Sequence, residues 1–369
     1  MTASSVSENY SRSRLDRLRL LLSHASADVL LVSSPPNIRY LSGFTGSAAL
    51  LLLDAQRATL FTDSRYTFQA REELANTPIR LQIARQGLFQ AVAAALRKRR
   101  GRTRVAFSPV QLAVSQKLAL DSAAGPRIRW VPAAPLVERL RAIKDASEIA
   151  VMRDAAILIS EVFLGVLPHV RPGVTELAIA AEIEYAMKQR GASGAAFDTI
   201  VASGPRSAWA HAHPSPKPFG KNELVVLDQG AILRGYCSDL TRTVFLGRPS
   251  DKVRRIYRAV LEAQQAAKSA VRPGVAASEI DAAARRVLTQ YGLERFFTHS
   301  TGHGLGIEVH EIPRLAKKEA FLLEEGMVIT IEPGAYVEGL GGVRIEDDVL
   351  VTASGHSELT TAPRDFLEL

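Results

Sequence analysis

The stretch HSTGHGLGIEVHEIPR, residues 299–314, sets His299, His303 and His310 among glycines and two carboxylates. Imidazole near neutral pH serves as a metal ligand, a hydrogen-bonding group or a general acid–base. The HExxH helix of many zinc peptidases is excluded. His303 and His310 are seven apart, and Gly302, Gly304 and Gly306 interrupt any helix. A continuous strand would point an odd-spaced pair to opposite faces, so the glycines are expected to form a turn on which the rings converge.

Carboxylates that could meet those rings lie in two apolar, strand-like segments. In VVLDQGAILRGYCSDLTRTVFLG, Asp228 and Asp239 are eleven apart. An odd separation suits direct opposition across a hairpin, with Cβ atoms ~5 Å apart. In MVITIEPGAYVEGLGGVRIEDDVLV, Glu332 and Glu346 are fourteen apart, which needs an odd loop or a bulge around Gly339, Gly341 and Gly342. Any one of these residues alone reads as a strand-edge charge or a turn residue. Together they do not, because acidic residues are rare in apolar strands unless paired or metal-bound. Facing carboxylates repel or share a proton unless a cation lies between them. Four carboxylates and His303 form an oxygen-rich set that suits Mn²⁺, Co²⁺, Fe²⁺ or Zn²⁺ and roughly neutralises two divalent ions. Two such ions lower the pKa of water and polarise a carbonyl, as amide hydrolysis requires.

These segments need a scaffold, and the rest of the chain supplies one. Residues 13–140 alternate helical and strand-like stretches and read as a small α/β domain: a helix at 15–22, strands at 29–32, 48–53, 58–62 and 104–107, and helices at 67–74 and 88–99. Pro35, Pro36, Asn37, Gly43 and Gly46 read as turn signals. Residues 141–369 form a second domain, opening on a long helix capped by Asp145 or Ser147. Within it, RPGVTELAIAAEIEYAMKQRG (171–191) and RPGVAASEIDAAARRVLTQYG (272–292) share their Arg-Pro-Gly-Val start and closing glycine. The repeat predicts two similar α+β halves with a site at their seam.

Composition narrows the function classes. The first dozen residues are polar and are expected to form a disordered tail. They lack a signal-peptide core, and no apolar run reaches the ~18 residues of a membrane span, so a cytoplasmic protein is expected. A lone cysteine, Cys237, excludes an intrachain disulfide and a cysteine-rich zinc site, and is expected to be buried. The formal charge of +8 is densest over Arg97–Arg104, which reads as a solvated helix end. No aromatics interleave there, so a nucleic-acid partner is set aside.

With these motifs in place, the chain resembles the pita-bread metallopeptidases, which include methionine aminopeptidase, aminopeptidase P, prolidase and creatinase. YLSGFTGSAALLL and LFTDSRYTFQA look like the creatinase-type N-terminal domain. IVASGPRSAWAHAHPS, HSTGHGLGIEVHE and GGVRIEDDVLV resemble the proline-specific branch. The resemblance implies an α+β pita-bread catalytic domain of two pseudo-symmetric halves behind that α/β domain. It implies that Asp228 holds one metal, that His303 and Glu332 hold the other, and that Asp239 and Glu346 bridge them, with Mn²⁺ the leading ion. Glu332 would also shuttle the proton, His211 and His310 would hydrogen-bond substrate and intermediate, and His299 and Arg344 would shape the proline side of the pocket. The implied activity is that of an Xaa-Pro aminopeptidase or Xaa-Pro dipeptidase acting on small peptides, as a homodimer or homotetramer. The alternatives are creatinase-like C–N hydrolysis and a non-catalytic peptide-binding relative. Gln229 stands where the family has an aromatic, and Ala210 and Ala212 replace a proline and a glycine beside His211. His213 reads as surface.

Overall fold

The computed structural model describes residues 3–369, with side chains from Ser11 onward, and it divides into units 1–141 and 142–369. The first unit orders α1 (Ala3–His24), β1 (Val29–Val32), α2 (Pro35–Ser42), β2 (Ala49–Asp54), β3 (Ala58–Asp63), α3 (Thr67–Glu73), β4 (Ile79–Ala84), α4 (Leu88–Arg97), β5 (Thr103–Phe107), α5 (Val114–Ala124), β6 (Ile128–Pro132) and α6 (Leu136–Ala142). Its six strands lie in the order β4-β3-β2-β1-β5-β6, and β1 pairs antiparallel to β2 but parallel to β5. Val29, Leu31, Phe61, Val92, Leu96, Val105 and Leu120 fill one core beside the sheet.

Three expectations change here. Met1 and Thr2 of the expected tail lie outside the described residues. Helix α1 already runs from Ala3, since no glycine or proline interrupts the polar stretch, and Ser11 is buried with its Oγ donating to Leu41 O. Pro35 and Pro36 start a helix instead of marking a turn, because proline at the first helical positions sacrifices no intrahelical bond. That helix ends at Gly43, whose φ of 75° lets its N–H close on Arg39 O. The basic run after α4 is not merely solvated: Arg99 pairs with Asp54 at 2.6 Å and Arg104 with Asp28 at 3.0 Å.

The second unit opens with α7 (Ala146–Val166), capped by Asp145 and boxed by Glu148. Its first half continues with α8 (Glu176–Gln189), β7 (Gly194–Ala195), β8 (Ile200–Ser203), β9 (Glu223–Gln229), β10 (Ala231–Leu233), β11 (Tyr236–Cys237) and β12 (Leu240–Leu246). The second half has α9 (Asp251–Ser269), α10 (Ala277–Gln290), β13 (Gly302–Gly304), β14 (Glu311–Leu315), β15 (Val328–Ile331), β16 (Gly334–Val337), β17 (Gly341–Arg344), β18 (Asp347–Thr352) and β19 (Gly355–Glu358). The repeats become α8 and α10, and their entry turns are bonded alike. Gly173 N donates to Phe219 O and Gly274 N to Leu323 O; Glu176 N donates to Lys217 O and Ala277 N to Phe321 O. One apolar cluster gathers around α7, α8 and the β12-β9-β8 sheet, another around α9, α10 and the β14-β13-β15-β18-β19 sheet. The halves meet along β12, where Glu346 N donates to Thr241 O and Arg344 N to Thr243 Oγ1. Cys237 is buried. No helix among the described residues is long and apolar enough to cross a membrane.

Candidate metal centre

Asp228 is the penultimate residue of β9 and Asp239 directly precedes β12. The ladder pairs Asp228 with Thr241, so Asp239 lies two residues off direct opposition, diagonal but on the same face. The expected direct pairing fails because residues 231–237 do not form a plain turn: they fold as the β10–β11 hairpin in a separate sheet. Gly230 permits the crossing, since a Cβ there would lie 2.3 Å from Ser238 O.

The second acidic pair keeps a single register through two sheets. Ile331 pairs with Asp347 in β15–β18, and Gly334 with Arg344 in β16–β17. Continuing either ladder sets Glu332 opposite Glu346. Of the odd loop or bulge that a fourteen-residue spacing allows, the chain adopts the loop, 338–340, closed by Leu340 N on Val337 O at 3.0 Å.

The histidine stretch bends as its glycines suggest. β13 pairs with β14 through a register shift between His303 and Gly304, bringing the His303 and His310 rings to a centroid distance of 4.3 Å. Gly302 is required by close approach, because a Cβ there would meet Thr330 O at 1.9 Å. His303 Nδ1 lies 3.0 Å from Gly304 O. A carbonyl only accepts, so Nδ1 carries the proton and Nε2 presents its lone pair to the carboxylates. From Nε2, Glu332 Oε1 is 3.5 Å away and Asp239 Oδ2 3.8 Å.

Ligand atoms of Asp239, His303 and Glu346, all buried, lie within 4.8 Å of one another. Asp228 is turned toward Arg344, whose Nη2 donates to Oδ2 at 2.5 Å. Its Oδ1 is buried with no hydrogen-bond partner among the described residues. Burial first, then the neighbouring carboxylates, pushes the Asp239 and Glu346 carboxyls well up. Burial raises Glu332 to about 8, against the pull of Arg344. Burial, then His310, lowers His303 to about 4, leaving it neutral and able to ligate. Four clustered acids with only the Arg344 guanidinium as countercharge, an orphaned carboxylate oxygen and an aimed neutral imidazole fit divalent-metal binding.

The remaining candidate residues surround this set. His299 donates from Nδ1 to Ser300 O at 2.8 Å and accepts at Nε2 from Tyr336 Oη at 2.8 Å. Tyr336 Oη in turn accepts from Arg344 Nη1 at 2.7 Å, which also donates to Ala210 O, while Arg344 Nε donates to Thr241 Oγ1. All three guanidinium nitrogens are therefore engaged, and Arg344 holds Asp228 and the His211 loop rather than offering a free face to substrate. Burial, followed by Arg344, lowers His299 to about 4. His310 and His211 are exposed, and burial followed by the neighbouring His211 lowers His310. His213 is exposed, and Gln229 is buried with neither amide atom partnered among the described residues.

Sequence reading missed Tyr336, Thr241, whose Oγ1 donates to Glu346 Oε2 at 2.5 Å, and Asp348, which accepts from Asp239 N at 3.1 Å. Only Asp348 carried a signal, as one more acid in an apolar strand.

Comparison with known proteins places this geometry. Residues 14–143 match the creatinase/prolidase N-terminal domain and residues 150–353 match metallopeptidase family M24. An uncharacterized peptidase of Bacillus subtilis is 40% identical over 96% of this chain and 100% of its own length. The structure of an Xaa-Pro dipeptidase from Bacillus anthracis superposes with a TM-score of 0.92 at 38% identity, covering 97% of this chain and 100% of that one. An X-Pro aminopeptidase structure from Thermotoga maritima gives a TM-score of 0.87 at 36% identity over 96% and 100%. With a family match over more than half its length, laid across the residues that converge here, the chain belongs to metallopeptidase family M24.

Proposed function

We propose that this metallopeptidase cleaves the bond between an N-terminal residue and a following proline, using two divalent ions held by Asp228, Asp239, His303, Glu332 and Glu346. The observation that carries the reading is the convergence of Asp239, His303 and Glu346 on one point, with Glu332 beside them, in a chain matched end to end by Xaa-Pro peptidases. When bound, such ions activate water and polarise the scissile carbonyl. Glu332 is the acid assigned to move the proton, since its carboxylate lies beside His303 within the ligand set, with Oε1 3.5 Å from Nε2. His310, packed on His303, and His211 are assigned to hydrogen-bond the carbonyl oxygen as charge develops there. His299 is assigned to the proline side, and Arg344 to holding Asp228 in place. Creatinase-like chemistry and a non-catalytic role are disfavoured because every candidate ligand is present. Assembly as a dimer or tetramer belongs to the same reading. Val114 and Leu118, one turn apart on α5 and 76% and 62% exposed, offer apolar side chains for it, and light scattering tests it.

The deciding experiment compares turnover of Xaa-Pro dipeptides, Xaa-Pro-Yaa tripeptides and creatine by metal-stripped protein reconstituted with Mn²⁺, Co²⁺ or Zn²⁺. Metal-dependent cleavage of dipeptides alone makes it a dipeptidase, and cleavage of tripeptides makes it an aminopeptidase. Absence of Xaa-Pro cleavage with every metal would refute the reading.

A further inference from the structure

The two loops that bring histidines to the site are fastened by the same device. In the first half Glu176, fully buried at the start of α8, accepts from Ser203 N at 2.8 Å and Ser203 Oγ at 2.9 Å. Its second oxygen accepts from Arg206 Nε at 3.0 Å and from Ser215 N and Oγ, and Arg206 Nη2 donates to His213 O at 2.6 Å. Residues 203–215, which include His211, are thus tied at both ends to one carboxylate. In the second half Asp281, 1% exposed on α10, accepts from Thr301 N at 3.2 Å and Thr301 Oγ1 at 2.8 Å. Its other oxygen accepts from Arg285 Nε at 2.7 Å, and Arg285 Nη2 donates to His299 O at 2.7 Å.

The pattern is the same: a buried carboxylate takes the N–H and O–H of one hydroxyl residue and the Nε of one arginine, whose Nη2 reaches a histidine carbonyl. The positions are not the same. The repeats are offset by 101 residues, from Arg171 to Arg272, whereas Asp281 lies 105 beyond Glu176, one helical turn further along. Arg285 shares a helix with its acid, while Arg206 lies in the loop that it fastens. A packing contact inherited from a duplicated half would occupy equivalent positions. The same bonds reached from different positions indicate a requirement on the loops themselves.

We propose that Glu176–Arg206 and Asp281–Arg285 are paired positioning clamps for the site, the first setting His211 and the second setting the segment from His299 to His303. This rests on the metallopeptidase reading above. The two clamps differ in what they govern. Thr301 O accepts from Glu332 N at 2.8 Å, so the Asp281 clamp fixes the backbone of two candidate metal ligands, whereas the Glu176 clamp bonds to no ligand's own segment, meets Asp228 only at one remove through Ala210 O and Arg344, and acts chiefly through His211. Charge-assisted bonds suit the task, because a catalytic group displaced by about 1 Å loses about 10²-fold in rate.

The test uses Arg206→Gln and Arg285→Gln, at arginines whose side chains are 23% and 13% exposed, with Arg→Lys at each position as the milder variant should a glutamine variant fail to fold. Calorimetric titration of metal-stripped protein with Mn²⁺ should show Arg285→Gln weakened about 10–100-fold, the usual effect of removing a group that orients a ligand, and Arg206→Gln within about threefold of wild type. Arg206→Gln should lower kcat at saturating Mn²⁺ by about tenfold or more, yet cause no further loss in a His211→Ala background. Hydrogen exchange over residues 204–213 should quicken in Arg206→Gln whether or not the protein cleaves Xaa-Pro peptides. A wild type that binds Mn²⁺ without cleaving them overturns the substrate reading alone, leaving the clamps to be judged by titration and exchange. Wild-type Mn²⁺ affinity in folded Arg285→Gln, independent losses in the Arg206→Gln/His211→Ala pair, or unchanged exchange at 204–213 would overturn the clamps.

Discussion

Asp239 and Glu346 carry the site's charge balance, because each is buried among acids that raise its carboxyl well above the usual range. Replacing Asp239 with Asn removes one of these like charges without changing the side chain's shape. Metal-free Asp239→Asn is therefore expected to melt at a higher temperature than metal-free wild type, and Mn²⁺ is expected to stabilise wild type only. Melts with Mn²⁺ and with chelator check this. An equal Mn²⁺-induced rise in both proteins would remove Asp239 from the ligand set. His211 and His310 test the opposite property: His310→Ala and His211→Ala should retain metal while kcat falls by about 10²-fold, the scale of losing one oxyanion donor. Metal analysis showing depletion in either variant would make that histidine a ligand.

Elements impose sharper limits than single side chains. Strand β13 passes so close to β15 that Gly302→Ala would drive a Cβ into the Thr330 carbonyl, a backbone atom that cannot turn aside. Overpacking of this kind costs about 1–3 kcal/mol or more, and the strain falls beside His303, so both the melting temperature and Mn²⁺ affinity should drop. In the first unit, Arg99 ties the end of α4 to Asp54 at the end of β2. Burial alone would raise the Asp54 carboxyl, but hydrogen bonds from Arg99, Gln56 and Arg57 outweigh it and hold the pKa below its ordinary 3.8. A depressed carboxylate contributes stability that is present above its unfolded value and lost as pH falls through the folded one. The destabilisation of Arg99→Ala, at most about 1 kcal/mol for a partly exposed pair, should be full near pH 7 and shrink as pH drops below about 3.8. Denaturant midpoints from pH 7 to pH 2.5 measure it, and a gap that widens with acid would show that the ion pair is not its source.

Across the whole molecule, every candidate ligand belongs to the unit formed by residues 142–369. Metal at 100 times its dissociation constant stabilises the state that binds it by about 2.7 kcal/mol. Chelation should therefore hasten amide exchange in β13, β15 and β18 and leave β1 and β5 unchanged. A uniform response across both units, read by mass spectrometry, would contradict a metal effect confined to the second.

The sequence by itself determined the acids set in apolar strands, the glycine-broken histidine stretch, the need for an odd loop or a bulge between Glu332 and Glu346, and the duplicated helices. These signals are local, since alternation along a strand and the turn chemistry of glycine act over a few residues. Tertiary structure decided what those residues touch. Asp228 pairs with Thr241 rather than opposing Asp239, because a second hairpin intervenes. Arg344 meets Asp228 across 116 residues and Tyr336 links it to His299. The helix carboxylates Glu176 and Asp281 hold loops 27 and 20 residues further along. Spacing in a chain limits which faces two residues can share. Which partner a buried charge finds depends on how strands register and helices dock, and those are set by long-range packing that no local pattern encodes.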